Sequence, residues 1–163
     1  MSKKSAIFVA CLLWATAAPA QTRVSTEDFV TKVAISDMME IQSSQLALAR
    51  QPDADTKPFA EQMVKDHQQT SKELKALVDS GKVKVGLPSA LDAEHQKKLE
   101  DLKGKSGKDF DRAYDQMQVQ AHEDAVALFE NYAASGDNPD LKSWAAMTLP
   151  HLKEHLAMAK KLS

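Results

Sequence analysis

The chain has 163 residues, 43% hydrophobic and 27% charged, and its 21 basic and 23 acidic side chains leave a formal net charge of -2. That is one domain's worth of globular material. So balanced a charge excludes neutralising a nucleic-acid backbone over a broad face, so nucleic acid is not an expected partner.

The N-terminus reads as an address. Lys3 and Lys4 precede an apolar run from Ala6 to Trp14, and the small residues Ala18-Pro19-Ala20 follow. This is the pattern of a secretory signal peptide, residues 1–20, cleaved after Ala20. The apolar run falls short of the ~20 residues that span a bilayer, so no transmembrane segment is expected in the mature chain. Lipidation at Cys11 fits poorly, because few apolar residues precede it and Phe8 stands where a smaller aliphatic is usual. Cleavage removes Cys11, the sole cysteine, and with it disulfides, thiol nucleophiles, iron–sulfur clusters and zinc fingers. Residues 21–163 are expected to form one periplasmic or secreted domain.

From Gln21 onward, apolar residues recur three and four apart between clusters of Gly and Pro, which predicts helices. The first opens at a Ser25 cap, answered by Asp28, and runs through Phe29, Val33, Ile41 and Leu48 to about Arg50. A second follows Asp53-Ala54-Asp55, carries Phe59, Met63, Leu74 and Leu77, and stops at Gly81. Residues 82–107 are poor in large apolar side chains and read as a connector with a short helix over 94–102, which Ser89 can cap. The third long helix carries Phe110, Tyr114, Met117, Ala121, Ala125 and Leu128 to about Ser135-Gly136. After Asp137-Asn138-Pro139 the fourth carries Leu141, Trp144, Thr148, Leu152, His155 and Leu162, and Pro150 is expected to bend it.

Two hairpins of long helices make an all-α four-helix bundle. The connector leaves two topologies open, a plain up-down bundle and a ferritin-like crossover.

Four of the five histidines fall on the long helices, His95 on the connector. Counted from the turn at Asp53, Glu40 and His67 lie about 20 Å from one end, and His122, His151 and His155, at 15, 14 and 18 residues from Asp137, also reach mid-bundle. Glu40 shares a face with Val33, and His67 with Phe59 and Met63. His122 sits at the margin of its stripe, while His151 and His155 flank Leu152 on the apolar side. A carboxylate and three imidazoles suit one divalent ion: zinc, iron, manganese or copper. Glu40, His67, His122 and His155 are the expected ligands, with His151 as substitute if Pro150 rotates the last turn.

A carboxylate-bridged di-iron centre is disfavoured. It needs Glu-x-x-His, and Val64, Val119 and Leu152 stand three residues before His67, His122 and His155. Asp66 and Glu123 sit beside ligands and point about 100° away, so they can only support them from outside. Met63, Met147 and Met158 lie three or four residues from histidines, a spacing that favours copper if the sulfurs converge. Ser43, Ser44 and Ser135 lack a visible histidine and acid arrangement, so binding is the better reading than catalysis. The alternative is a metal-free helical module that recognises a periplasmic protein or an envelope component.

Glu40, the run Phe59-Ala60-Glu61-Gln62-Met63-Val64-Lys65-Asp66-His67, then Phe110-Asp111-Arg112-Ala113-Tyr114, His122 and Leu149-Pro150-His151-Leu152-Lys153-Glu154-His155-Leu156 together resemble the family called domain of unknown function 4142. The resemblance covers nearly all of the mature chain. It implies an exported bacterial protein with a ferritin-like bundle and no demonstrated activity, in which Asp66 and Tyr114 support the ligands. Ala121 departs from it, since relatives commonly place Asp there. The outer-membrane label such proteins often carry conflicts with a sequence that has neither barrel strands nor a spanning helix.

Overall fold

The structure is a computed structural model that describes residues 23–50 and 52–162. The leader expected at residues 1–20 lies outside the described residues. The chain is all-α. Five helices run in the order α1 (Thr26–Ala49), α2 (Thr56–Asp79), α3 (Ala93–Lys103), α4 (Gly107–Ser135) and α5 (Pro139–Leu162), with no strand among the described residues.

Side-chain hydrogen bonds explain where α1, α2, α3 and α5 begin. Ser25 Oγ accepts the Asp28 amide at 3.0 Å and donates to Asp28 Oδ2 at 2.8 Å. Asp53 Oδ1 accepts the amides of Asp55 and Thr56, and Asn138 Oδ1 accepts that of Leu141. α3 is capped by Asp92, whose Oδ1 takes the His95 amide at 2.8 Å, and not by Ser89. The correction is geometric: the cap must directly precede the first helical residue, and α3 begins at Ala93. At the end of α2, Gly81 takes φ +75°, a left-handed turn that lets its amide reach the Val78 carbonyl and brings Val83 back into the core.

Two apolar clusters occupy opposite ends. One gathers Phe29, Val30 and Val33 of α1, Leu74 of α2, Phe129 and Tyr132 of α4 and Leu141, Trp144, Ala145 and Leu152 of α5, with the Phe29 and Tyr132 rings stacked at 4.1 Å. The other, the lower cluster, gathers Ala47, Phe59, Met63, Phe110, Tyr114 and Ala159, together with Leu102 of α3. The start of α1 thus meets the end of α2 and of α4, so α1 and α5 run opposite to α2 and α4. α1 packs on α2 and α4, and α5 on α4 and α2.

This arrangement fixes the connector's route. At one end the Lys82 ammonium donates to Asp140 at 3.0 Å, and its carbonyl accepts from Asn138. At the other end the Arg50 guanidinium donates to the carbonyls of Lys103 and Lys105 and lies over the Phe110 ring. The chain therefore travels the length of the molecule between α2 and α4, and α3 packs on α1 and α4 through buried Leu99 and Leu102. The expected bend at Pro150 does not interrupt α5, which is continuous through it. Pro150 faces solvent, as does Ala146, whose carbonyl loses its helical donor and can bond water instead.

Leu102 measures how firmly α3 is docked. Leu102→Ala is expected to destabilise the chain by about 2–5 kcal/mol, the range for a buried leucine. A loss near zero in urea unfolding would mean that α3 is only loosely attached.

Candidate metal centre

Between the two apolar clusters the interior turns polar. Asp37, Glu40, Ser43 and Ser44 of α1, His67 of α2, Gln118 and His122 of α4 and His155 of α5 are all buried. His67, His122 and His155 come together. Their ring centroids form a near-equilateral triangle with sides of 5.7, 5.7 and 5.5 Å, and one nitrogen from each lies within 4.8 Å of the others.

Each ring is oriented by an oxygen on its far side. His67 Nδ1 bonds Asp37 Oδ1 at 2.8 Å, and Ser71 donates to the other Asp37 oxygen at 3.1 Å. His122 Nδ1 donates to the Gln118 carbonyl at 2.8 Å, and His155 Nε2 bonds Asp66 Oδ2 at 3.0 Å. The remaining nitrogens are buried without a hydrogen-bond partner: His67 Nε2, His122 Nε2 and His155 Nδ1. Glu40 Oε2 is buried and unpartnered as well. Glu40 stands outside the 4.8 Å set that the three imidazoles form.

Orphaned buried polar atoms are uncommon, because each forfeits about 1–3 kcal/mol of solvation. Four from four helices at one level are what a metal ligand set requires, and the oxygens behind the rings are the usual partners of ligating imidazoles. A tetrahedral ion bonded at about 2.0–2.1 Å needs nitrogens about 3.3–3.4 Å apart, within reach of small rotamer shifts.

His151 does not join them. Its side chain is 72% exposed and its Nδ1 lies 3.8 Å from Glu154. The buried positions of α5 include Leu141, Trp144, Ala145, Leu152, His155 and Ala159, and His151 lies about 100° around the helix from Leu152, outside that seam. Tyr114 does not touch the imidazoles through a hydrogen bond; its hydroxyl pairs with Ser44 at 2.9 Å in the lower cluster. Asp66 does support a ring, but that of His155 on a different helix from its own. Glu123 is engaged by Lys160 at the surface. The methionine sulfurs divide, since Met63 and Met158 pack in the lower cluster and Met147 is exposed. Sequence reasoning missed Asp37. Its signal was its place four residues after Val33 and one turn before Glu40, on the same face.

The environment separates the three rings electrostatically. Burial opposes charge on His67, but the Asp37 hydrogen bond and the charges of Asp37, Glu40 and Asp66 outweigh it and raise its pKa. Both Asp37 oxygens are engaged, by His67 and Ser71, while burial of this carboxyl raises its own pKa as well. Burial lowers His122, and burial with the charges of His67 and His122 pushes His155 down to about 4. Two openings lead inward. A cleft of about 700 Å³ beside α1, α3 and α4 has Asp37, Glu40 and His67 in its lining, and a crevice of about 470 Å³ between α2 and α5 has Asp66, His67 and His155 in its lining.

A family model described as Domain of unknown function (DUF4142) matches residues 13–162. The chain belongs to this family. None of the curated proteins matches the sequence. Among solved structures, CopM in the Cu(II)-bound form superposes with a TM-score of 0.70, covering 86% of this chain and 96% of that one at 16% identity. At that identity the likeness is one of fold. Among the described residues of this DUF4142 protein, no helix is long and apolar enough to cross a membrane.

The depressed histidines predict an acid response of the metal-free chain. Below about pH 6.5 the unfolded chain takes up protons at His122 and His155 that the folded chain refuses, so stability falls as pH drops from there toward 4. His67 has the opposite sign: its contribution is fully present below 6.5 and is lost as pH rises through its raised folded value. In urea unfolding of chelator-treated protein between pH 6.5 and 4.5, His155→Asn should flatten the slope by up to about 1.4 kcal/mol per pH unit. An unchanged slope would mean that His155 titrates normally in the folded chain.

Proposed function

We propose that this chain is an exported, periplasmic, ferritin-like four-helix-bundle protein that binds one divalent metal ion at mid-bundle. His67, His122 and His155 supply the nitrogens and Glu40 the oxygen. The single observation that carries this reading is the set of four buried, unpartnered donor atoms from four helices. Asp37, the Gln118 carbonyl and Asp66 fix the three tautomers so that a bare lone pair is available at the centre. The contacts of α1 with α4 and of α2 with α5, with the connector crossing between the ends, support the ferritin-like description. The signal-peptide pattern in the sequence of residues 1–20 supports export.

Binding is the reading favoured here over catalysis, since Ser43 and Ser44, the buried serines of the polar layer, are engaged by Gln118 and Tyr114. Copper is the first ion to test, since a protein of similar fold has been solved with copper(II). Zinc, iron and manganese suit the same donors.

Metal analysis of protein purified without a His-tag, after each of the four ions is supplied, is expected to find one ion per chain. His67→Ala and His122→Ala should abolish binding. Asp37→Asn should keep the stoichiometry at saturation but weaken affinity about 10–100-fold, as loss of a carboxylate behind a ligating histidine does. Sub-stoichiometric binding of all four ions would overturn the proposal.

A further inference from the structure

Met147 is 65% exposed, the large hydrophobic side chain that stands out in solvent among the described residues, and no packing accounts for it. On α5 it begins a row with a definite geometry. Residues four apart on a helix advance about 6 Å along the axis and turn about 40° past a full revolution. The row Met147, His151, His155 therefore winds from solvent into the interior: Met147 and His151 are exposed, whereas His155 is 4% exposed and belongs to the buried cluster. Every member carries a donor that suits copper(I), a thioether or an imidazole.

The crevice between α2 and α5 follows the same path. Met147 and His151 line it together with Asp66, His67 and His155. Its lining also includes the carboxylates of Asp66 and Glu73 and no lysine or arginine, which favours a cation. Glu73 is anchored by the Trp144 indole at 2.9 Å, so this charge is fixed in place.

We propose that Met147 and His151 form an exposed capture site for copper(I) that feeds the buried histidines, an inference that rests on reading those histidines as a metal site and extends the ions it takes from divalent ones to copper(I). The ion passes as copper(I) with no electron transferred. Its bonds to the Met147 sulfur and a His151 nitrogen are exchanged for bonds to buried imidazole nitrogens. The soft thioether admits copper(I) ahead of zinc, iron or manganese, which the buried nitrogen and oxygen donors alone do not ensure.

The test is anaerobic loading of the full chain from the coloured copper(I)–bicinchoninate complex, followed by stopped-flow absorbance. Met147→Leu combined with His151→Gln changes two exposed side chains and should leave the fold intact. With one copper(I) supplied per chain, the double variant is expected to load about tenfold or more slower than wild type, the scale on which guiding clefts act, and to reach the same final copper content. A chain carrying His67→Ala and His122→Ala should still take one copper(I), more weakly, and lose it when the Met147 and His151 changes are added. Loading of the double variant at the wild-type rate, or no copper(I) bound by the buried-site variant, would overturn the capture site. Copper held by wild type through Met147 and His151 alone would instead overturn the buried site and leave the capture pair standing.

Discussion

The nitrogen that an imidazole leaves bare is decided by the oxygen that meets its other nitrogen, and in this chain three such decisions point the same way. Asp37 claims Nδ1 of His67, the Gln118 carbonyl claims Nδ1 of His122, and Asp66 claims Nε2 of His155. Lone pairs that would otherwise find partners in solvent are turned inward and remain unpartnered. A carboxylate behind a ring also raises its basicity as a ligand. The three supports differ in kind, however, and so do the rings. His67 faces a carboxylate buried with it, while His122 has a neutral carbonyl and His155 a half-exposed carboxylate. Accordingly the pKa of His67 is shifted upward and those of the other two downward.

Such a polar layer cannot be stable alone, and its position in the fold explains how it persists. Apolar clusters above and below bury the aromatic rings of Phe29, Phe129, Tyr132 and Trp144 on one side and Phe59, Phe110 and Tyr114 on the other. At about 25 cal/mol per Å² of buried apolar surface, a few such rings offset the desolvation of several polar atoms. The clusters also exclude water from the histidines along the helix axes. Access is thereby left to the sides, where the cleft beside α1 and α4 and the crevice between α2 and α5 open. The crossing connector contributes too, because α3 lays Leu102 into the lower cluster while its residues Glu94, His95 and Lys98 line the first of these openings.

Much of this was legible in the sequence because helices have a fixed rise. Counting residues from two turns placed Glu40, His67, His122 and His155 at one height, and the apolar stripes placed His67 and His155 inward. Rotation is less forgiving than height. His151 is one residue from Leu152, yet that single step carries it out of the seam. The same 100° turn takes Asp66 away from the face of His67 and delivers it to His155 on the facing helix, a pairing that no count along one helix reveals. Asp37 was readable, one turn before Glu40, but a carboxylate among acidic neighbours gives no sign of a histidine partner thirty residues on. The connector's route was not readable from composition, since it depends on which ends of α1 and α4 meet.

The carboxylates of the middle layer also bear on how many ions the site can hold. Asp37 is engaged at both oxygens by His67 and Ser71, and Asp66 is engaged by His155. Glu40 alone among these three brings a buried unpartnered oxygen. A pair of ions needs bridging carboxylates from several helices, whereas three imidazoles and one carboxylate complete the coordination of a single ion. The three rings also tie the proposed ion to pH. An imidazole nitrogen cannot hold a proton and an ion at once, so on that reading acid competes with the ion at His67, His122 and His155 together.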